Sequence, residues 1–282
     1  MNADDLTPAI PERGRRLAVL DLGYVRLVDW MGDDLSVVNA ARASYMKEAT
    51  TLRAADERLV AYLARHGHLS PFRHATVSLE IKAPLMVARQ WFKYRVGGAH
   101  TPDSAEFLGV DLPPELAATL EWRGQGDDGG DGYGDLLQAR NEASRRYVTL
   151  PPEFFVPGTS PATPWRAKPA TSKQGSAGPV DDATNAEATA RLHELINRSL
   201  AHYDWAVGAG ISAEQARLFL PAYALHTVWR WTASIQSIAH FLQQRLGADA
   251  QDEIQAYARA VSDLVTPLFP HALRALGREP QD

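Results

Sequence analysis

The sequence predicts one helix-rich α/β domain with a small sheet, and three observations carry that expectation. Apolar residues make up 45% of the 282 positions, enough to bury a substantial core. Short branched-rich runs near the N-terminus and before Pro84 have the look or the two-residue period of strands. Elsewhere, and above all after residue 180, apolar residues recur about a helical turn apart.

Taken in order, residues 1–16 are polar and proline-containing and read as a disordered tail. Leu17–Asp21 and Tyr24–Val28 suit two strands turning at Gly23. Leu35, Val38, Ala41 and Tyr45 mark one amphipathic helix; Leu59, Val60, Leu63 and Ala64 mark a second. Val77, Leu79 and Ile81 alternate with Ser78, Glu80 and Lys82, a half-buried strand that Pro84 should end, with a helix starting there and carrying Arg89–Arg95.

The stretch at about 98–138 has a different character. Pro113-Pro114-Glu115 could open a short helix ending near Trp122. Six glycines and four aspartates then crowd Gly124–Asp135, a composition that packs no core of its own. Pro157–Pro179 reads as a long surface loop. A helix from about Ala183 to Val207 should follow, with Leu192, Leu195, Ile196 and Leu200 on one face. Ser212 and Gln215 have the spacing of a capping box for a helix that Pro221 closes. Ser234–Leu246 and Asp249–Leu268 complete the helices, and residues 271–282 read as a C-terminal tail.

Charge and cysteine narrow the function classes. With 29 basic and 34 acidic residues the net charge is −5, so no global field draws the chain to duplex nucleic acid or an anionic membrane. Cysteine is absent, which removes disulfides, thiolate metal sites and cysteine nucleophiles together. The N-terminus lacks the basic start and apolar stretch of a signal peptide, and no apolar run nears the roughly 18 residues that span a bilayer. A cytoplasmic protein is expected.

Chemistry concentrates between Ala88 and Tyr147. Arg89-Gln90-Trp91-Phe92-Lys93-Tyr94-Arg95 puts Gln90 with Tyr94, and Trp91 with Arg95, on shared helix faces that could grip a planar ring and its phosphates. A buried Trp-Phe pair with a solvated basic side explains that segment equally well. Asn141-Glu142-Ala143-Ser144-Arg145-Arg146-Tyr147 adds a second cationic cluster. Arg217 and Arg245 each stand among apolar residues, where a guanidinium is costly to desolvate without an anionic partner.

These residues carry a resemblance. The chain resembles the flavin-dependent thymidylate synthases from about Leu17 to Leu268, through Ala41-Arg42-Ala43-Ser44-Tyr45, His68-Leu69-Ser70-Pro71-Phe72, Lys82-Ala83-Pro84, Ala88–Phe92, Asn141–Tyr147, Ser172-Lys173-Gln174, Ala216-Arg217 with Leu220-Pro221, and His240-Phe241-Leu242 with Arg245. The resemblance implies a single domain of that family over 17–270. It also implies C5-methylation of dUMP with FAD, NADPH and methylenetetrahydrofolate, and a homotetramer with active sites at subunit interfaces. It assigns the nucleotide to Gln90, Ser144, Arg146 and Arg217, and the uracil to Arg245. The flavin falls to Ser44, Ser70, Lys93, Tyr94, Arg95, Glu142 and His240, and the folate side to His68. Arg245, Ser144 and Glu142 take the catalytic roles, and no metal is implied. The missing cysteine fits, since the flavin-independent thymidylate synthases attack their pyrimidine with one.

Two registers compete for the second half of the motif. A contiguous one uses Ser104-Ala105-Glu106-Phe107 and sets Glu106 where an arginine should meet phosphate, which a carboxylate repels. The split register keeps Arg146 there and makes residues 98–138 an insertion; it is the one adopted. Departures gather on the flavin side: Lys93 and Tyr94 replace an arginine and a histidine, Arg73 replaces a glutamate, and Ser234 and Gln236 stand where asparagine and arginine are usual. Lysine offers a point charge in place of a planar fork. The expectation is a specialised relative that retains FAD loosely and methylates UMP, as homologues in nucleoside-antibiotic pathways do.

Other readings are weaker on the same residues. Asp127, Asp128, Asp131 and Asp135 lack the closing ligand of a calcium loop. His100, Asp103 and Ser104 have no nucleophile elbow around the serine. Trp91–Arg95 could clamp single-stranded nucleic acid, against which the net acidity speaks. A non-catalytic nucleotide-binding relative stays open.

Overall fold

A computed structural model of the chain describes residues 10–92, 139–142, 151–169, 176–247 and 250–277. Its centre is a five-stranded, wholly antiparallel sheet: β1 (Arg16–Val19), β2 (Gly23–Met31), β3 (Thr76–Pro84), β4 (Ala139–Glu142) and β5 (His226–Ser234), in the order β1-β2-β3-β5-β4. Eight α-helices are described: α1 (Asp34–Arg42), α2 (Ala54–Arg65), α3 (Leu85–Trp91), α4 (Asp182–Gly208), α5 (Ala213–Ala216), α6 (Ile235–Leu246), α7 (Asp252–Val265) and α8 (Pro270–Leu276). The expected helix-rich domain with a small sheet is what the chain forms.

The two predicted strands at the N-terminus become the β1–β2 hairpin, and Gly23 is required there. A Cβ at that position would stand 1.9 Å from the Tyr257 hydroxyl and under 3 Å from the Val19 and Lys82 carbonyl oxygens. That hydroxyl instead donates to the Lys82 carbonyl at 2.8 Å, fastening α7 to β3. The strand read from alternation is β3: Val77, Leu79, Ile81 and Ala83 are buried, while Ser78, Glu80 and Lys82 face the other way, half-covered. Pro84 pairs with His226 as the last residue of the strand and α3 begins at once.

β5 and β4 were not anticipated. β5 pairs along its whole length with β3, from Thr76 opposite Ser234 to Pro84 opposite His226, and so sits at the heart of the sheet. It turns directly into α6, whose first N–H groups are met by the Ser234 side chain, at Ser237, and by the Ala75 carbonyl, at Ile235. The apolar face of the sheet is closed by α3, α6 and α7. There Trp91 lies 4.2 Å, ring centre to ring centre, from Phe241 and 5.4 Å from both Trp229 and Trp231.

Other boundaries shift. Leu195 is 51% exposed, so α4 buries Ile196 and Ser199 rather than the whole expected stripe. The Ser212 side chain makes no capping bond, and α5 passes after one turn into a 3-10 turn at Arg217–Phe219. Residues 14–16, assigned to the N-terminal tail, are bound to β2: the Gly14 N–H donates to Leu27 at 2.7 Å and Arg16 pairs with Arg26. The segment read as a C-terminal tail holds most of α8, with Ala272 and Leu273 buried and the His271 and Ala272 N–H groups donating to the carboxylate of buried Asp34 at 2.9 and 2.8 Å. The stretch read as an acidic insertion, with the short helix expected near Trp122, lies outside the described residues.

Candidate active site

β4 and β5 bring one pair of predicted site residues together. Glu142 is the last residue of β4, opposite Trp229, and its carboxylate accepts from the Thr227 hydroxyl at 2.5 Å. Arg217 arrives from far along the chain, on the 3-10 turn after α5. Both line one cavity of about 510 Å³, with Lys82, Glu153, Glu214, Leu220 and His226. The volume suits a nucleoside monophosphate, and pockets of this size hold small-molecule ligands in general.

The cavity wall is built by a strap running from residue 151 to 156 over the segment before β5. His226 donates its N–H to the Glu153 carbonyl, Phe155 donates to Ala224, and Leu85 and Met86 at the start of α3 donate to Leu225 and Tyr223. Pro84 leaves α3 without a side-chain cap, so those backbone carbonyls satisfy its first turn. The Lys82 ammonium, 15% exposed, is held 2.6 Å from the Glu153 carboxylate. Behind the wall, the buried His226 imidazole stands 3.6 Å from Asp21. Burial would raise the Asp21 carboxyl, but His226 and the Leu22 N–H outweigh it and hold the group below the usual range.

A second pair meets between the last turns of α3 and α6. Buried Arg245, 6% exposed, donates from Nη2 to the Gln90 carbonyl oxygen at 2.9 Å, and Gln90 donates through its amide to Gln251 at 2.5 Å. This carbonyl answers part of the expectation that Arg245 needs an acceptor. His240, on the same helix and half-buried, has its pKa lowered by burial first and by the Arg245 charge second.

The flavin-side candidates sit on turns. Ser44 is exposed in a 3-10 turn (Ala43–Tyr45) that closes α1, beside the ion pair of half-buried Arg42 with buried Asp56 at the start of α2. Ser70 and His68 are exposed at the approach to β3, and the 3-10 turn Ser70–Arg73 packs against α1 and α6. Two departures from the family pattern touch each other, with Arg73 donating to Gln236 at 2.8 Å. Exposed hydroxyls beside a cationic turn are the groups that a phosphate- and hydroxyl-bearing cofactor would need, so the described flavin-side residues fit one in type. Lys93, Tyr94, Arg95, Ser144 and Arg146 lie outside the described residues.

Trp91 decides between the two readings of its segment. The ring that could have shared a ligand-gripping face with Arg95 is 4% exposed and engaged in the core, as the buried Trp-Phe reading has it. Lys82, Glu153 and Thr227 were not assigned to the site by sequence. The alternation of β3 does place Lys82 on the polar face, but without β5 and the strap nothing shows that this face is walled.

The thymidylate synthase complementing protein family model matches residues 26–127 and 136–271. The chain belongs to that family. Flavin-dependent thymidylate synthases are its relatives: that of Thermus thermophilus is 34% identical over 92% of this chain and 77% of its own length. Those of Thermotoga neapolitana and Thermosipho africanus are 32% and 31% identical, over 92% and 91% of this chain and 93% and 92% of theirs. The family named from sequence motifs is therefore the right one, and it is a family of enzymes. Among solved structures, the UMP/dUMP methylase PolB from Streptomyces cacaoi bound with 5-Br UMP superposes with a TM-score of 0.64 at 23% identity, covering 91% of this chain and 93% of that one. The same protein bound with 5-Br dUMP gives 0.65 at 22%, covering 92% and 96%. At that identity the likeness establishes the shared fold. Among the described residues no helix is long and apolar enough to cross a membrane.

Proposed function

We propose that the protein methylates carbon 5 of a uridine monophosphate, converting dUMP to dTMP, UMP to 5-methyl-UMP, or both, with methylenetetrahydrofolate as carbon donor and NADPH as reductant. The observation that supports this most is the meeting of Glu142 and Arg217, far apart in sequence, in one cavity of nucleotide size. Arg217 with Gln90, Ser144 and Arg146 binds the phosphate and sugar. Arg245, buried and fixed by the Gln90 carbonyl, contacts the uracil and stabilises charge that develops on its carbonyl oxygens. Glu142, oriented by Thr227, faces both nucleotide and flavin. Ser44, Ser70, Lys93, Tyr94, Arg95 and His240 hold FAD, and His68 lies toward the folate. FAD, when bound, supplies the reducing equivalent, so the chain's own work is positioning and electrostatics.

The test is methylation of dUMP and UMP side by side with methylenetetrahydrofolate, FAD and NADPH. Turnover of either one supports the proposal; binding of nucleotide and FAD with turnover of neither makes the protein a non-catalytic relative. The register is tested separately: Arg146→Ala should abolish nucleotide binding while Glu106→Ala leaves it intact.

The active form is proposed to be a homotetramer. Trp205, Leu218 and Tyr223 are 62%, 85% and 68% exposed, and the Trp205 and Phe219 rings lie 6.4 Å apart, apolar surface that association with another chain would cover. Sedimentation velocity should give four chains per particle, and a monomer would overturn the assignment.

A further inference from the structure

The cavity poses an electrostatic problem for an anionic ligand. Its described lining carries three carboxylates, on Glu142, Glu153 and Glu214, against the two cations of Lys82 and Arg217. Arg146, placed on the phosphate above, only evens that balance, so a phosphate entering a partly enclosed site gains no net attraction from its charges. The fixed and the movable members of the lining suggest how that problem is relieved. Glu142 is committed to Thr227. Glu153 is anchored through its backbone, since its carbonyl accepts from His226 and the strap bridges to Leu225 through Phe154. Its carboxylate is 47% exposed, and that carboxylate holds the Lys82 ammonium at 2.6 Å. Lys82 rises from a strand fixed on both sides, but its charge rides on a four-carbon stem that re-aims at little cost.

We infer that Lys82 is a phosphate-binding residue of the site, and that Glu153 is its resident counter-ion, which the nucleotide phosphate displaces. This rests on the proposed uridine monophosphate reading. The phosphate is a dianion with three acceptor oxygens, and it outcompetes a half-solvated carboxylate for one ammonium. Glu153 thereby opposes binding: the pair satisfies Lys82 in the empty site and must open for the ligand. Side chains at 82 and 153 should therefore act on affinity with opposite signs, which a structural ion pair does not do.

The experiment uses the full chain with FAD and measures dUMP and UMP dissociation constants by calorimetry, with circular dichroism to verify folding. Lys82→Met should raise Kd at least tenfold, and Lys82→Arg, which keeps the charge, no more than about threefold. Glu153→Gln should lower Kd about threefold. In the double variant the gain from Glu153→Gln should vanish, because there is no ammonium left to release. Unchanged Kd in Lys82→Met, or a rise in both single variants, overturns the inference. A folded wild-type protein that binds neither nucleotide overturns the parent reading, and the inference with it. Should Lys82→Met not fold, Glu153→Gln alone decides: a Kd equal to or above wild type refutes the counter-ion role.

Discussion

The two central strands each run straight into a helix, and the two units are built differently for the same task. β3 and α3 occupy residues 76–91, β5 and α6 residues 226–246, and the strands pair antiparallel so that each helix starts at the opposite end of the sheet. α6 is capped by a side chain, Ser234, and has the length to carry His240 and Arg245. α3 is short, is preceded by Pro84 and has its first N–H groups met only by the Tyr223 and Leu225 carbonyls. The start of α6 is therefore capped from within its own unit. The β3–α3 unit depends on the segment before β5, the segment that also walls the cavity, so the site and α3 share one set of backbone bonds.

Removing the ring on which both units converge should have the largest effect. Trp91→Ala is expected to cost about 3–5 kcal/mol, read as a fall in the urea midpoint, because Phe241, Trp229 and Trp231 cannot all close on the space. A loss below about 1 kcal/mol would mean that the units do not share a core. Arg245→Met comes next, at about 1.5–3 kcal/mol, since it leaves the Gln90 carbonyl without this donor between α6 and α3. Ser234→Ala tests the local cap and should cost about 1 kcal/mol. If it costs nothing, the Ala75 carbonyl alone holds the start of α6 and the contrast between the two helices weakens.

The smallest effect separates the units by pH. Glu80, on β3, is held below the usual carboxylate range mainly by the paired bonds from Arg26 at 2.8 and 3.0 Å. Stability from a depressed acid is present above its unfolded pKa and lost as pH falls through the folded one, so β3 contributes only an acid limb. His240, on α6, is depressed by burial and Arg245. The unfolded chain takes up that proton first, so stability falls as pH drops from about 6.5 toward the folded value. Melting temperatures between pH 7.5 and 5.5 should decline in the wild type and flatten in His240→Asn, while Glu80→Gln changes the profile only at lower pH.

The same contrast explains what the sequence disclosed. β3 was legible because every second residue from Val77 to Ala83 is buried, and Pro84 punctuates its end. β5 was not, because Thr227 and Val228 are both half-buried at its start, where the cavity interrupts the alternation, and Arg230 stands exposed between two buried tryptophans. β4 is an alanine and three polar residues, all exposed, whose strand character comes wholly from pairing with β5, a long-range fact no local pattern carries. α8 is two turns long and owes its start to Asp34, more than 200 positions away. At the site, order along the chain indicated the family, but meeting in space is a property of the fold. Glu142 and Arg217 share a cavity, Gln90 and Arg245 share a bond, and Trp91, for which a ligand-facing and a buried reading both stood, went to the core.

The Arg140 guanidinium lies 3.5 Å over the Phe92 ring. Phe92 directly follows α3 and Arg140 sits on β4, so two points 48 positions apart in sequence meet in space. A detour between two points already in contact costs closure entropy that grows only with the logarithm of its length. Added chain at this place therefore leaves the distance between Gln90 and Glu142 to the sheet to set.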